Sequence, residues 1–288
     1  MNVQKYNANY FSRKAKRLVG SLIDYYAYKS ENHISLYYFD KEKNVGDILN
    51  PYLIEKLFEV KCVQRQKGKS SNLLAIGSVM HEAKITSYIW GSGFISTTDL
   101  PKRLDSKKIR ALRGKESVRI LGEKYNINLG DIPLGDPGIL MPLVYQTHKE
   151  KKYKIGIVPH YVDKDKIPES VSLDENIRII DVQQDPEGFV NDLMECSNIL
   201  SSSLHGLILS DAYDIPNKWI VLSDRLVGGE FKFHDYYSTT EKPDEKSFTI
   251  TTDDELVRLI EDIDSYANVK RFNFSKEDLL NAFPKGEL

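Results

Sequence analysis

From residue 34 onward the chain repeats one pattern: a short apolar run, a loop carrying Gly, Asp, Asn or His, then apolar residues at helical spacing. Residues 34–39 form a predicted strand that leads into Asn44, Gly46 and Asp47. Asn50 and Pro51 then read as a helix start, Asn as cap and Pro in the first turn, with Leu53, Ile54, Leu57 and Phe58 as the apolar face. Residues 73–76 lead into Gly77 and Ser78, and residues 88–90 into Gly91, Ser92 and Gly93. Residues 109–112 lead into Arg113 and Gly114, followed by a predicted helix over 115–125, and the loop from Gly135 to Gly138 closes the first half. Residues 147–154 are charged, lack apolar periodicity and read as a linker.

The pattern then restarts. Residues 155–158 lead into Pro159, His160 and Tyr161; residues 177–182 lead into Gln183, Gln184 and Asp185; and residues 189–194 are helical. A strand ending at Ile199 and Leu200 meets three serines, then a helix with Leu204, Leu207, Ile208 and Ala212 on one face. Residues 219–222 give a further strand, 228–233 an irregular loop, and 253–266 and 276–283 the closing helices. This alternation predicts parallel strands joined by crossover helices: an α/β chain with two Rossmann-like parallel-sheet domains, residues 1–147 and 148–288, facing a cleft. Ligands of open parallel sheets lie beyond the carboxyl ends of the strands, so the loops above are expected to face one site.

Ahead of this pattern, residues 8–27 carry Arg13, Lys14, Lys16 and Arg17 among Tyr10, Phe11, Leu18, Leu22, Ile23 and Tyr26. That is a basic amphipathic helix, suited either to peripheral contact with an anionic membrane or to a solvated position on the body. Composition narrows the choices. With 40 basic and 42 acidic residues the net charge is -2, which gives no field for nucleic acid. Cys62 and Cys196 stand far apart, in no zinc spacing, and are expected to be free thiols in a reducing cytoplasm. No apolar run approaches the ~20 residues that span a bilayer, and the N-terminus lacks the basic region and apolar core that export would require, so a cytoplasmic location is expected, with the inner membrane face as an option through residues 8–27.

The candidate chemistry gathers where strands end. Ser202 and Ser203 stand at a strand-to-helix junction with His205 in the first helical turn. Either this helix start binds a phosphate or carboxylate beside a histidine that takes up a proton as the anion arrives, or the serines cap a helix over a packed imidazole. Arg113 precedes a helix and is placed to fork onto an anion, or is a surface arginine. Lys232, hemmed by aromatics in FKFHDYY, is either a ligand-facing cation or a stem covering aromatic surface. His160 ends a strand and points to the cleft or is satisfied by backbone. Asp47, following Asn44 and Gly46, either accepts a proton from a hydroxyl or caps the next helix. Gly91, Ser92 and Gly93 permit a close ligand but do not form GxGxxG, and GxxxxGK[ST], HExxH and GxSxG are absent.

Taken in order, NVGDILNPYL (44–53), WGSGF (90–94), RGKES (113–117), GDPGILMP (135–142), GIVPHYVD (156–163), SSSLHGLILSDAY (201–213) and KFHDYYS (232–238) resemble the polysaccharide pyruvyl transferase family over roughly residues 35–240. The resemblance implies a GT-B-like pair of domains, the first on the acceptor side. It also implies transfer of a pyruvyl group from phosphoenolpyruvate to a sugar of a surface polysaccharide, as in capsule or exopolysaccharide, with formation of a ketal. The Arg, His and Lys that hold or activate the donor fall at Arg113, His205 and Lys232, with Asn44, Gly46, Asp47, Gly91, Ser92, Gly93, His160, Tyr161, Ser202 and Ser203 around the substrates. The scheme needs no metal and no cofactor besides the donor, and its partners are phosphoenolpyruvate and a sugar acceptor, lipid-linked or free. A nucleotide-sugar glycosyltransferase and a non-catalytic scaffold for polysaccharide assembly are the alternative readings.

Overall fold

A computed structural model describes residues 33–64, 72–226 and 228–288, so the basic segment 8–27 lies outside the described residues. In chain order the elements are β1 (His33–Tyr37), α1 (Val45–Phe58), β2 (Lys61–Gln64), β3 (Leu73–Leu74), β4 (Tyr88–Trp90), β5 (Ile109–Ala111) and α2 (Lys115–Tyr125). A 3-10 helix, Pro137–Leu143, ends this half. The second half has β6 (Tyr153–Val158), α3 (Glu169–Ser172), β7 (Ile177–Ile179), α4 (Pro186–Met194), β8 (Cys196–Ser201), α5 (Leu204–Ala212) and β9 (Asn217–Val221). It closes with α6 (Phe231–Tyr237), β10 (Phe248–Thr249), α7 (Asp253–Glu261), α8 (Ile263–Tyr266) and α9 (Lys276–Asn281).

The strands make two five-stranded sheets in the orders β2-β1-β3-β4-β5 and β10-β9-β8-β6-β7. Every strand pairing within them is parallel. The central strands explain why the sequence folds this way: β4 and the last four residues of both β6 and β8 are buried without interruption, as a sheet covered on both faces requires. The two parallel-sheet α/β units expected from the sequence are therefore what the chain builds. The units share a core, in which Leu49 and Leu53 of α1 and Ile139–Met141 join Val158, Val182, Phe189 and Leu209 of the second unit. Val45 N–H donates across the junction to the Val182 carbonyl at 2.7 Å.

The C-terminal segment returns to the first sheet. Trp90 Nε1 donates to the Leu279 carbonyl at 2.7 Å, and Phe283 stacks on Phe58 with centroids 3.6 Å apart while meeting Trp90 edge-on. Among the described residues no helix is long and apolar enough to cross a membrane.

Two elements differ from the sequence expectation. Helix α1 begins at Val45 with Asn44 as its cap, accepting from Gly46 N–H at 3.0 Å, so Asn50 and Pro51 lie inside it. Pro51 has no N–H to give the Asp47 carbonyl, and Asn50 Nδ2 supplies a bond there at 3.3 Å. The same amide bonds both backbone groups of Ile76, pinning α1 to the loop after β3. The expected irregular loop is also partly replaced: Phe231–Tyr237 is the helix α6. Phe233, Tyr236 and Tyr237 bury one face against Leu204, Leu207, Ile208 and Trp219, with Phe233 stacked on Trp219 at 4.4 Å.

Candidate active site

Arg113 stands between β5 and α2 with no side-chain exposure. Its Nε donates to Asp235 Oδ2 at 2.9 Å, one terminal nitrogen to Ser78 Oγ at 2.5 Å and the other to the Phe94 carbonyl at 2.7 Å. Asp235, on α6, also accepts from Ser117 N–H and Oγ at 2.8 and 2.7 Å, so it caps α2, whose own cap residue Gly114 has no side chain to offer. The expected fork onto an anion is thus turned inward, onto a carboxylate from the other half of the chain. Gly93 makes room for this: a Cβ there would collide with the guanidinium and with Asp235.

His205 lies in the first turn of α5. Ser203 occupies the cap position but makes no cap bond; instead Ser201 Oγ accepts from Ser203 N–H at 3.0 Å and holds the turn. The helix start is therefore not closed by a side chain, and its N–H groups and dipole favour an anion there. The imidazole is mostly buried, at 12% side-chain exposure, and its pKa falls to about 3. Burial is the main cause, followed by the charges of Arg113 and Lys232. Asp136 Oδ2 lies 3.7 Å from Nε2, a placement that favours imidazolium, yet burial and the two cations outweigh it.

Lys232, on α6, is held down to about 8 by burial and then by Arg113, against the opposing pull of Asp163 and Asp47. Asp47, in the first turn of α1, is raised to about 7 by burial, although the Phe39 backbone and Lys232 pull it back. His160 falls to about 4, through burial and then Lys232. The His160 backbone N–H donates to Ser202 Oγ at 2.9 Å, and Ser202 Oγ in turn donates to Asp163 Oδ2 at 3.3 Å. The Tyr161 ring lies tilted against His160 with centroids 4.4 Å apart, and its phenol is raised by burial and then by Asp47. Both halves of the chain thus place groups in the field of Lys232: Asp47 from the first, His160 and His205 from the second.

A match to the family model of polysaccharide pyruvyl transferases runs over residues 4–224. The chain belongs to the polysaccharide pyruvyl transferase family. Pyruvyl transferases are enzymes, and the resemblance read from the loop motifs is borne out at that level. An uncharacterized protein of Acanthamoeba polyphaga mimivirus is 31% identical over 71% of this chain and 74% of its own length. The succinoglycan biosynthesis protein ExoV of Rhizobium meliloti is 26% identical over 70% of this chain, which spans 64% of that protein. The crystal structure of a functionally uncharacterized Klebsiella pneumoniae protein superposes with a TM-score of 0.45 and 14% identity, covering 82% of this chain and 98% of that one.

Within this family member the expected residues separate into two groups. His205, His160 and Asp47 gather around Lys232, with Tyr161 beside Asp47, while the buried Ser202 bonds the His160 backbone and Ser203 starts α5. Asn44 caps α1, and Gly46 lies against the His205 ring. Gly91, at φ +84°, packs against Pro137, Ser92 Oγ donates to the Gly77 carbonyl at 3.0 Å while its own carbonyl accepts from Arg113 N–H, and Gly93 lies against the Arg113 guanidinium. Their close neighbours are the protein's own groups. Sequence reasoning missed Asp136, Asp163 and Asp235, all buried. Asp136 and Asp235 stand inside the GDPG and FHDYY words, where a carboxylate among glycine, proline and aromatics signals a tertiary partner.

Gly46 offers a direct test. An added Cβ would stand well inside contact distance of Nδ1, Cε1 and Cγ of His205. Gly46→Ala is expected to leave the fold intact, since alanine favours a helix, and to lower turnover at least tenfold by displacing the ring. Circular dichroism with a turnover assay checks both halves of the statement.

Proposed function

We propose that the cleft transfers the pyruvyl group of phosphoenolpyruvate to a pair of hydroxyls on a sugar of a surface polysaccharide or its precursor, forming a cyclic ketal and releasing phosphate. The observation that carries this reading is the joining of Lys232 and His205, within the field of Arg113, beside a helix start without a side-chain cap. A phosphate monoester of about -1.5 to -2 charge with an adjoining carboxylate suits such a place. The relationship to a succinoglycan biosynthesis protein favours an exopolysaccharide acceptor or its lipid-linked precursor.

In this scheme the donor's phosphate meets Lys232 and the α5 start, while Arg113 contributes field rather than contact. As the anion offsets both cations, His205 gains basicity and becomes the acid that protonates the enol methylene. A sugar hydroxyl, losing its proton to Asp47, adds to the electrophilic carbon; phosphate then departs and carries that proton. The second hydroxyl closes the ketal and returns a proton to His205, so the protons balance.

The test incubates the protein with phosphoenolpyruvate and a panel of saccharide acceptors, reading phosphate release and acceptor mass. Phosphate release with a pyruvyl mass gain is the expected result. Nucleotide-sugar turnover instead, or binding of polysaccharide without turnover of either donor, would reject the reading in favour of a glycosyltransferase or a scaffold. The pH profile sharpens it. Below about 7 Asp47 is protonated and cannot accept a proton; above about 8 Lys232 is neutral and holds the anion weakly. The kcat/KM for phosphoenolpyruvate, which reports groups of the free enzyme, is expected to peak between those values and fall on both sides.

A further inference from the structure

Asp136 and His205 present an unfinished contact. Asp136 caps the 3-10 helix Pro137–Leu143: its Oδ1 accepts from Gly138 N–H at 2.9 Å, and the Gly77 backbone also donates to this carboxyl. Its Oδ2 is buried with no hydrogen-bond partner, and so is His205 Nε2, 3.7 Å away. Two buried polar atoms without partners, facing one another, call for an explanation in a native fold. A movement of about 1 Å brings the pair to hydrogen-bond distance.

The rest of the ring's surroundings decide which way the bond runs. The absent Cβ of Gly46 would lie closest to Nδ1 but also within 2.7 Å of both Cε1 and Cγ. That puts it over the ring face; in line with the Nδ1 lone pair it would stand much farther from the two carbons. Gly46 therefore supports the ring without covering the edge at Nδ1. The charged and titratable groups whose fields reach this pair are Arg113 and Lys232 at His205, and Arg113, Asp235 and Tyr236 at Asp136.

We propose that Asp136 is a positioning residue that holds His205 as the Nε2–H tautomer, so that Nδ1 is the nitrogen presented to the reacting groups. An Nε2 lone pair facing a carboxylate would be repelled, whereas an Nε2–H donates to it. When Nδ1 takes a proton, the imidazolium then has a buried counter-charge at Nε2, which offsets the burial that otherwise keeps this histidine neutral. The use made of Nδ1 rests on the pyruvyl-transfer reading; the tautomer does not.

The experiment is nitrogen NMR of the full chain labelled with ¹⁵N-histidine, near pH 7.5, with the His205 signals assigned by their loss in His205→Gln. A proton on Nε2 and a bare Nδ1 are expected, and a proton on Nδ1 overturns the proposal. This spectrum decides the matter even if no substitution at position 136 folds. Asp136→Asn places an amide donor opposite Nε2 and is expected to reverse the tautomer and lower kcat by about 10²–10⁴, the range for losing a correctly set acid–base group, with the donor KM changed less than about threefold. An unchanged tautomer or an unchanged kcat in that variant also overturns it. Absence of any phosphate release by the wild-type protein would reject the pyruvyl reading while leaving the tautomer result standing.

Discussion

Replacing His205 with alanine is expected to lower turnover by about 10²–10⁴-fold, the usual worth of a positioned acid–base group, while the protein remains folded. The ring's Nε2 has no hydrogen-bond partner and its face rests on a glycine, so truncation removes a buried polar atom along with its packing. The loss should appear in kcat more than in the donor KM, because Lys232 and the start of α5 remain to hold the phosphate. The His205→Gln variant, closer in size, should be equally slow, since an amide cannot cycle a proton. Phosphate release under saturating donor, with thermal unfolding as the control, measures both. Near-normal rates in either folded variant would remove His205 from the chemistry.

Much of this arrangement was legible in the sequence because it depends on local signals. The helix Lys115–Tyr125 and the strand Tyr88–Trp90 coincide with their predicted spans, and the order of strand, loop and helix sufficed for a parallel α/β fold. Asn50-Pro51 misled because Asn followed by Pro is a common helix start, whereas here the asparagine side chain compensates for the proline from within the helix. Phe231–Tyr237 was obscured because Phe and Tyr carry little helical preference; the face they bury, on Trp219 and α5, is tertiary. The buried carboxylates were hidden for a related reason. Nothing local marks Asp235 as the partner of Arg113, 122 residues away, or Asp136 as the neighbour of His205.

That separation also identifies a fragile contact. Arg113 and Asp235 are both fully buried, and the Asp235 carboxylate accepts three hydrogen bonds, one from the guanidinium and two from Ser117 at the start of α2. Asp235→Ala leaves the Arg113 charge without a counter-ion and the α2 N-terminus without its cap, so a loss of about 3–5 kcal/mol is expected, the cost of breaking a buried ion pair from one side. Urea unfolding should record it as a lower midpoint with little change in slope. Removing both charges together, as in Arg113→Met with Asp235→Leu, should recover part of that stability, because the penalty arises from the unpaired charge rather than from the missing pair. It should not recover turnover. Arg113 supplies part of the positive field at His205 and Lys232, so a stable double variant that is still slow would separate the electrostatic work of this pair from its part in holding the two halves of the chain together.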